Sequence, residues 1–120
     1  MYFQVHQPVR LKKFTVFDIG QNTQYFDDQL NNFYLERIVR KCYKPANETI
    51  LKLINQHNGE FRVSYSITGV LIEALEKNYP EVFDSFRKLV DTGCVELFNE
   101  TYYHSLAYLV SPREFVEQVK

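Results

Sequence analysis

The chain has no tryptophan, two cysteines, four glycines and three histidines among 120 residues, and each scarcity removes a class of chemistry. Cys42 and Cys94 lack metal-ligand spacing and are too few for a disulfide framework, so both read as free thiols. The four glycines compose no Gly-rich phosphate loop. His6, His57 and His104 show neither His-x-x-x-His nor His-Glu-x-x-His spacing, and His57 falls at a helix end where a cation favours the dipole. No metal and no cofactor are expected. Ser64, Ser66 and Ser105 have no nucleophile-elbow context, which argues against a serine hydrolase. A one-sided charge is missing too: fourteen Lys plus Arg stand against fifteen Asp plus Glu, a net charge of −1. Such a chain has no basic field for nucleic acid or an anionic membrane. No apolar run approaches the ~20 residues of a membrane span, and Met1 to His6 lacks the features of a signal peptide. A soluble, cytoplasmic protein without membrane or nucleic-acid partners is the expectation; oligomeric state is not legible.

What is present is a globular composition, 45% hydrophobic and 24% charged, with nine Tyr and ten Phe. Aromatic side chains serve equally for core packing and for sugar stacking, and composition does not choose between the two.

The order of elements says more. Tyr2 to His6 is a short β-prone run that Pro8 stops. From Gln7 to Asn32 the chain is polar and aperiodic, with turn signals at residues 18–22 and at Asp27-Asp28, a loop of a length that is often functional. Helical spacing follows over Phe33–Cys42, and Pro45 opens a second helix ending near Asn58-Gly59. Phe61–Ile67 alternates as a second strand, and helices over Val70–Asn78 and from Pro80 to Thr92-Gly93 come next. Cys94–Phe98 is a third strand. Ser111-Pro112-Arg113-Glu114 carries a capping-box signature for a last helix running to Lys120. Strands separated by helical stretches imply parallel, right-handed βαβ units, so the chain is α/β. Three such units leave an unpaired parallel edge and an architecture that looks unfinished.

Parallel strands covered on both faces normally read as continuous Val, Ile and Leu. Here Gln4 and His6 share one face, as do Ser64 and Ser66, while Glu96 shares its face with Cys94 and Phe98. A desolvated carboxylate costs several kcal/mol unless partnered, so Glu96 is either solvated on an edge or compensated in a polar crevice. If the three polar faces converge, the crevice lies at the carboxyl ends of the strands, where α/β folds place ligands. Glu100-Thr101-Tyr102-Tyr103-His104-Ser105 then reads as a sugar-facing loop or as packing.

Val5-His6-Gln7-Pro8 and Gly93-Cys94-Val95-Glu96-Leu97, with the run Asn99 to Leu106 after it, resemble glycoside hydrolase family 57, in particular its α-amylase-like members. Pro45-Ala46-Asn47 and Val63 to Gly69 extend the resemblance along essentially the whole chain. The resemblance implies a (β/α)7 barrel, of which residues 1–120 would be the amino-terminal part, about three βα units truncated at the carboxyl end. It implies a retaining α-glucan hydrolase or glucanotransferase as the full-length parent, acting on an α-glucan or malto-oligosaccharide. His6 and Glu96 would contact sugar in the subsite of bond cleavage, Gln7 and Pro8 would shape the loop, and Tyr102, Tyr103 and His104 would be pocket neighbours. The catalytic nucleophile and acid would lie beyond Lys120, so the segment alone is expected to be inactive. Gln4 stands where many members carry His or Glu, which would remove any ionic role there. Two alternatives remain: an inactive amylase-like glucan-binding protein, and a metal-dependent deacetylase, whose Asp and paired His ligands are absent. Tyr102 and Tyr103 fall beside the expected sugar site, and most phenylalanines are assigned to the core.

Overall fold

A computed structural model describes residues 1–21 and 23–119; Asn22, within the expected turn, and Lys120, the expected helix end, lie outside the described residues. The three β-prone runs form three parallel strands, β1 (Tyr2–Val5), β2 (Val63–Ile67) and β3 (Val95–Phe98), in the order β1-β2-β3. Ser64 pairs with Tyr2 on one side and Glu96 on the other; Ser66 pairs likewise with Gln4 and Phe98. The α/β reading holds, and the sheet with its helices is the amino-terminal part of a (β/α)7 barrel. Cys94 departs from expectation: it precedes the ladder, and its thiol is buried in the core, donating to Gly59 O at 3.4 Å.

The helices begin and join differently from the sequence pattern. Asp27, read as a turn residue, is an N-cap whose carboxylate accepts from Leu30 N–H at 2.9 Å, so α1 spans Asp28–Ile38 and shortens the expected loop. No break follows at Pro45. Val39–Tyr43 forms a π turn in which Lys44 N–H reaches back to Val39 O, and α2 (Lys44–Gln56) continues from it. Proline donates no N–H and crowds the carbonyl four residues earlier, and the widened turn just before Pro45 absorbs both defects. α3 (Gly69–Asn78), α4 (Pro80–Asp91) and α5 (Pro112–Val119) complete the chain, with Ser111 Oγ accepting from Glu114 N–H at 3.2 Å at the start of α5.

The odd-numbered strand residues Val5, Val63 and Tyr65 build one core with Leu35, Ile50, Leu71, Leu75, Val82 and Leu89 from the helices. Burying a side chain such as Leu71, which is 0% exposed, contributes about 1.5–3 kcal/mol. The even-numbered residues contribute nothing to that core; Tyr2, Gln4, Glu96 and Phe98 are exposed. Sheet alternation thus separates an apolar, helix-packed face from a polar one. The assignment of most phenylalanines to the core is corrected. Phe86 is buried and Phe3, Phe61 and Phe83 pack against it, but Phe14, Phe17, Phe26, Phe33, Phe98 and Phe115 are exposed. The exposed ones sit in the 9–27 segment, on α1, at the β3 edge and on α5, where the described residues supply no packing partner that buries them. Among the described residues no helix is long and apolar enough to cross a membrane.

Candidate functional site

A period of two carries three strands to a common end. Continuing the polar rows past the ladder places His6 after β1, Thr68 after β2 and Glu100 after β3, each two residues beyond Gln4, Ser66 and Phe98. These groups meet. Glu100 Oε2 accepts from Ser66 Oγ, while Glu100 Oε1 accepts from Gln4 Nε2 at 2.9 Å and contacts His104 Nδ1. The Glu100 side chain is only 10% exposed. Burial pushes its carboxyl pKa up, yet hydrogen bonds from Ser66, Gln4 and His104, with the charge of His104, outweigh burial and hold it below the ordinary carboxylate value.

His6 Nδ1 lies 2.9 Å from the hydroxyl of Thr68, itself fully buried, and the His6 ring centroid is 5.0 Å from that of His104. Burial, then the neighbouring His104 charge, lower the His6 pKa, with Glu100 opposing. His104 is delivered by a tight turn. Its N–H donates to Thr101 O at 3.0 Å, Ser105 N–H donates to Thr101 Oγ1 at 2.8 Å, and Ser105 Oγ donates to Gln118 Oε1 at 2.6 Å. The turn puts His104 at φ 55°, a left-handed conformation that disfavours a side chain.

The remaining expected residues are placed apart from this cluster. Glu96 lies on the same face, level with Ser64, about 13 Å of strand short of Glu100. It is exposed and has no hydrogen-bond partner among the described residues. Gln7 turns to the helix side, where its amide donates towards the Tyr43 hydroxyl and its Oε1 is buried without a partner. Tyr102 fastens the loop: its N–H donates to Gln118 O at 2.9 Å, its carbonyl accepts from Val70 N–H at 3.2 Å, and its ring covers Gly69. Its hydroxyl donates to Glu73, and that bond, with burial, pushes the phenol pKa up to about 12. Tyr103 is exposed, 4.7 Å from Tyr102 between ring centroids. Both tyrosines and Gln7 line a cleft of about 660 Å³ with Arg10, Asn31 and Glu73.

Sequence reasoning thus brought His6 and His104 to one place, set Gln4 and Ser66 on converging polar faces and Glu100 in the loop after β3 without giving these three a role, and passed over Thr68. The signal was present, since Glu100 keeps the parity of Glu96 and Phe98, but a residue beyond a strand has no guaranteed orientation. Gln4 also gains a positive account: an amide donor suits a position beside a buried carboxylate, where another carboxylate would be repelled. Among the described residues no three or more His, Cys, Asp or Glu side chains are grouped to hold a metal ion.

The sequence profile described as Glycosyl hydrolase family 57 matches residues 1–120. A protein of Methanocaldococcus jannaschii named "Putative alpha-amylase" is 46% identical over 125 residues, covering 98% of this chain and 25% of that protein. The "Alpha-amylase" of Pyrococcus horikoshii is 34% identical over 93 residues, covering 76% of this chain and 14% of the relative. The "Alpha-amylase 1" of Dictyoglomus thermophilum is 26% identical over 89 residues, with 74% and 12% covered. The chain therefore spans a quarter or less of the length of these relatives. No solved structure matches significantly.

Proposed function

The chain belongs to glycosyl hydrolase family 57, and from that premise we propose that it is the amino-terminal part of a longer, retaining α-glucan hydrolase or glucanotransferase. The observation that carries the reading is the convergence of His6, Thr68, Glu100 and His104 at the carboxyl ends of three parallel strands in a chain matched by the family along its whole length. Relatives named as alpha-amylases support an α-glucan or malto-oligosaccharide as substrate.

In a retaining mechanism one carboxylate attacks the anomeric carbon and a second carboxyl, ~5–5.5 Å away, serves as acid and then base. Neither comes from these residues. A general acid needs a raised pKa, whereas that of Glu100 is lowered, and both Glu100 oxygens are already engaged. Glu96 is the carboxylate with free oxygens; it accepts charge-assisted hydrogen bonds from sugar hydroxyls, which offset its partial desolvation. His6, oriented by Thr68 and kept largely neutral by burial, supplies a second polar contact without introducing a charge that repels the developing oxocarbenium ion. Tyr103 offers an exposed ring for a neighbouring glucose unit.

The test is turnover of a malto-oligosaccharide by the full-length protein, followed by proton NMR of the first product formed. Release of the α-anomer supports the reading; release of the β-anomer contradicts retention. Binding without turnover selects the inactive glucan-binding protein, and absence of both binding and turnover removes the α-glucan assignment.

A further inference from the structure

Two acids share the polar face of the sheet, and their surroundings give them different work. Glu96 is exposed and free, whereas Glu100 is 10% exposed with partners on both oxygens. Three protein donors already occupy the two Glu100 oxygens. An ionised carboxylate only accepts, and the lowered Glu100 pKa keeps it ionised at neutral pH, so His104 must present Nδ1–H to Oε1. That fixes the ring as the Nδ1–H tautomer whenever it is neutral. Gln4 Nε2, which donates to Glu100 Oε1, also lies 2.9 Å from His104 Nδ1, so the two donors stand side by side on one oxygen. Ser66, Gln4 and His104 thus all donate to Glu100.

His104 occupies a left-handed conformation at φ 55°, which glycine adopts without strain. The turn itself is closed by Thr101, Ser105 and Gln118, none of which needs an imidazole at position 104. The ring's contacts are Glu100, Gln4 and the face of His6.

We propose that Glu100 is a positioning residue that acts through His104: its carboxylate fixes the tautomer and orientation of that imidazole beside His6, so that the pair meets a sugar hydroxyl in one arrangement. The proposal rests on the α-glucan reading above.

The experiment is a double-mutant cycle in the full-length protein, with KM and kcat for a malto-oligosaccharide measured for wild type, Glu100→Gln, His104→Gly and the double variant. Glycine suits the left-handed position, so the His104→Gly protein retains its turn. Glu100→Gln is expected to raise KM about tenfold in the wild-type background with a smaller change in kcat, and to change KM less than about twofold once His104 is gone. Equal effects of Glu100→Gln in both backgrounds would show that Glu100 serves the fold and would overturn the proposal, as would an unchanged KM in the single variant. A wild-type protein that neither binds nor turns over the glucan overturns the α-glucan reading itself, and with it the sugar-site role, before any substitution is compared.

Discussion

Replacing Gly69 by alanine tests whether Tyr102 clamps the loop that carries His104. Gly69 is the first residue of α3, and on helix propensity alone alanine there stabilises by up to about 1 kcal/mol. The structure reverses that sign. A Cβ at Gly69 would stand 2.2 Å from Tyr102 Cδ2, 2.4 Å from Cε2 and 3.0 Å from Cγ, so it meets the ring rather than a flexible tip. Ordinary carbon contacts need ~3.5–4.0 Å, and the ring must retreat by more than about 1 Å. The Tyr102 backbone is held by Val70 N–H and Gln118 O and its hydroxyl by Glu73, so the retreat strains the whole turn. Overpacking of this kind costs about 1–3 kcal/mol, leaving a net loss of up to about 2 kcal/mol after the helix gain. In a Tyr102→Ala background the obstacle is absent, and Gly69→Ala should then stabilise by up to about 1 kcal/mol. The assay is urea unfolding of the four full-length proteins at constant m-value. A Gly69→Ala effect of the same sign and size in both backgrounds would refute the packing argument.

Glu100 has a lowered folded pKa, so the stability it contributes is present above the ordinary carboxylate value and is lost as pH falls through the lowered one. His6 also has a lowered folded pKa, so the unfolded chain takes its proton first and stability declines as pH falls below the ordinary 6.5. Ser66→Ala removes a hydrogen bond to the charged Glu100 and should cost about 1.5–3 kcal/mol at pH 7 and progressively less as pH falls through the lowered folded value; a cost that stays constant down to acid unfolding contradicts the linkage. Residues 1–120 expressed alone should aggregate or bind a hydrophobic dye as a partly molten species. Leu97 and Phe98 are exposed at the β3 edge, and Phe115, Val116 and Val119 on α5 are at least one-third exposed. A monodisperse monomer with a sharp cooperative melt would show that these surfaces need no further partner.

Much of the fold was legible because alternation and helical spacing survive tertiary context. Val63, Tyr65 and Ile67 announced β2, and Pro80 with Gly93 bracketed α4 closely. The misreadings have local causes. Asp27 is equally a turn former and an N-cap, and only its acceptance from Leu30 N–H distinguishes the two. Pro45 lies in the first turn of α2 as its position implies, but a π turn joins that helix to α1 without a break, and no residue pattern encodes that widening. The site was legible where a residue ends a strand, as with His6. It was not legible at Glu100, because the way that side chain faces depends on hydrogen bonds from Gln4 and Ser66, separated from it in sequence by 96 and 34 residues.

The central claim is that Glu96, within β3, and His6, just beyond β1, hold the sugar. It is tested most directly by calorimetric affinity of the full-length protein for a short malto-oligosaccharide, comparing wild type with Glu96→Gln and with His6→Ala. Loss of a hydrogen bond to a charged group is worth about 1.5–3 kcal/mol, so Glu96→Gln should weaken binding at least tenfold, and His6→Ala should weaken it in the same direction. Wild-type affinity in both variants would contradict the account, because the two polar groups it assigns to the sugar would then contribute nothing to holding it.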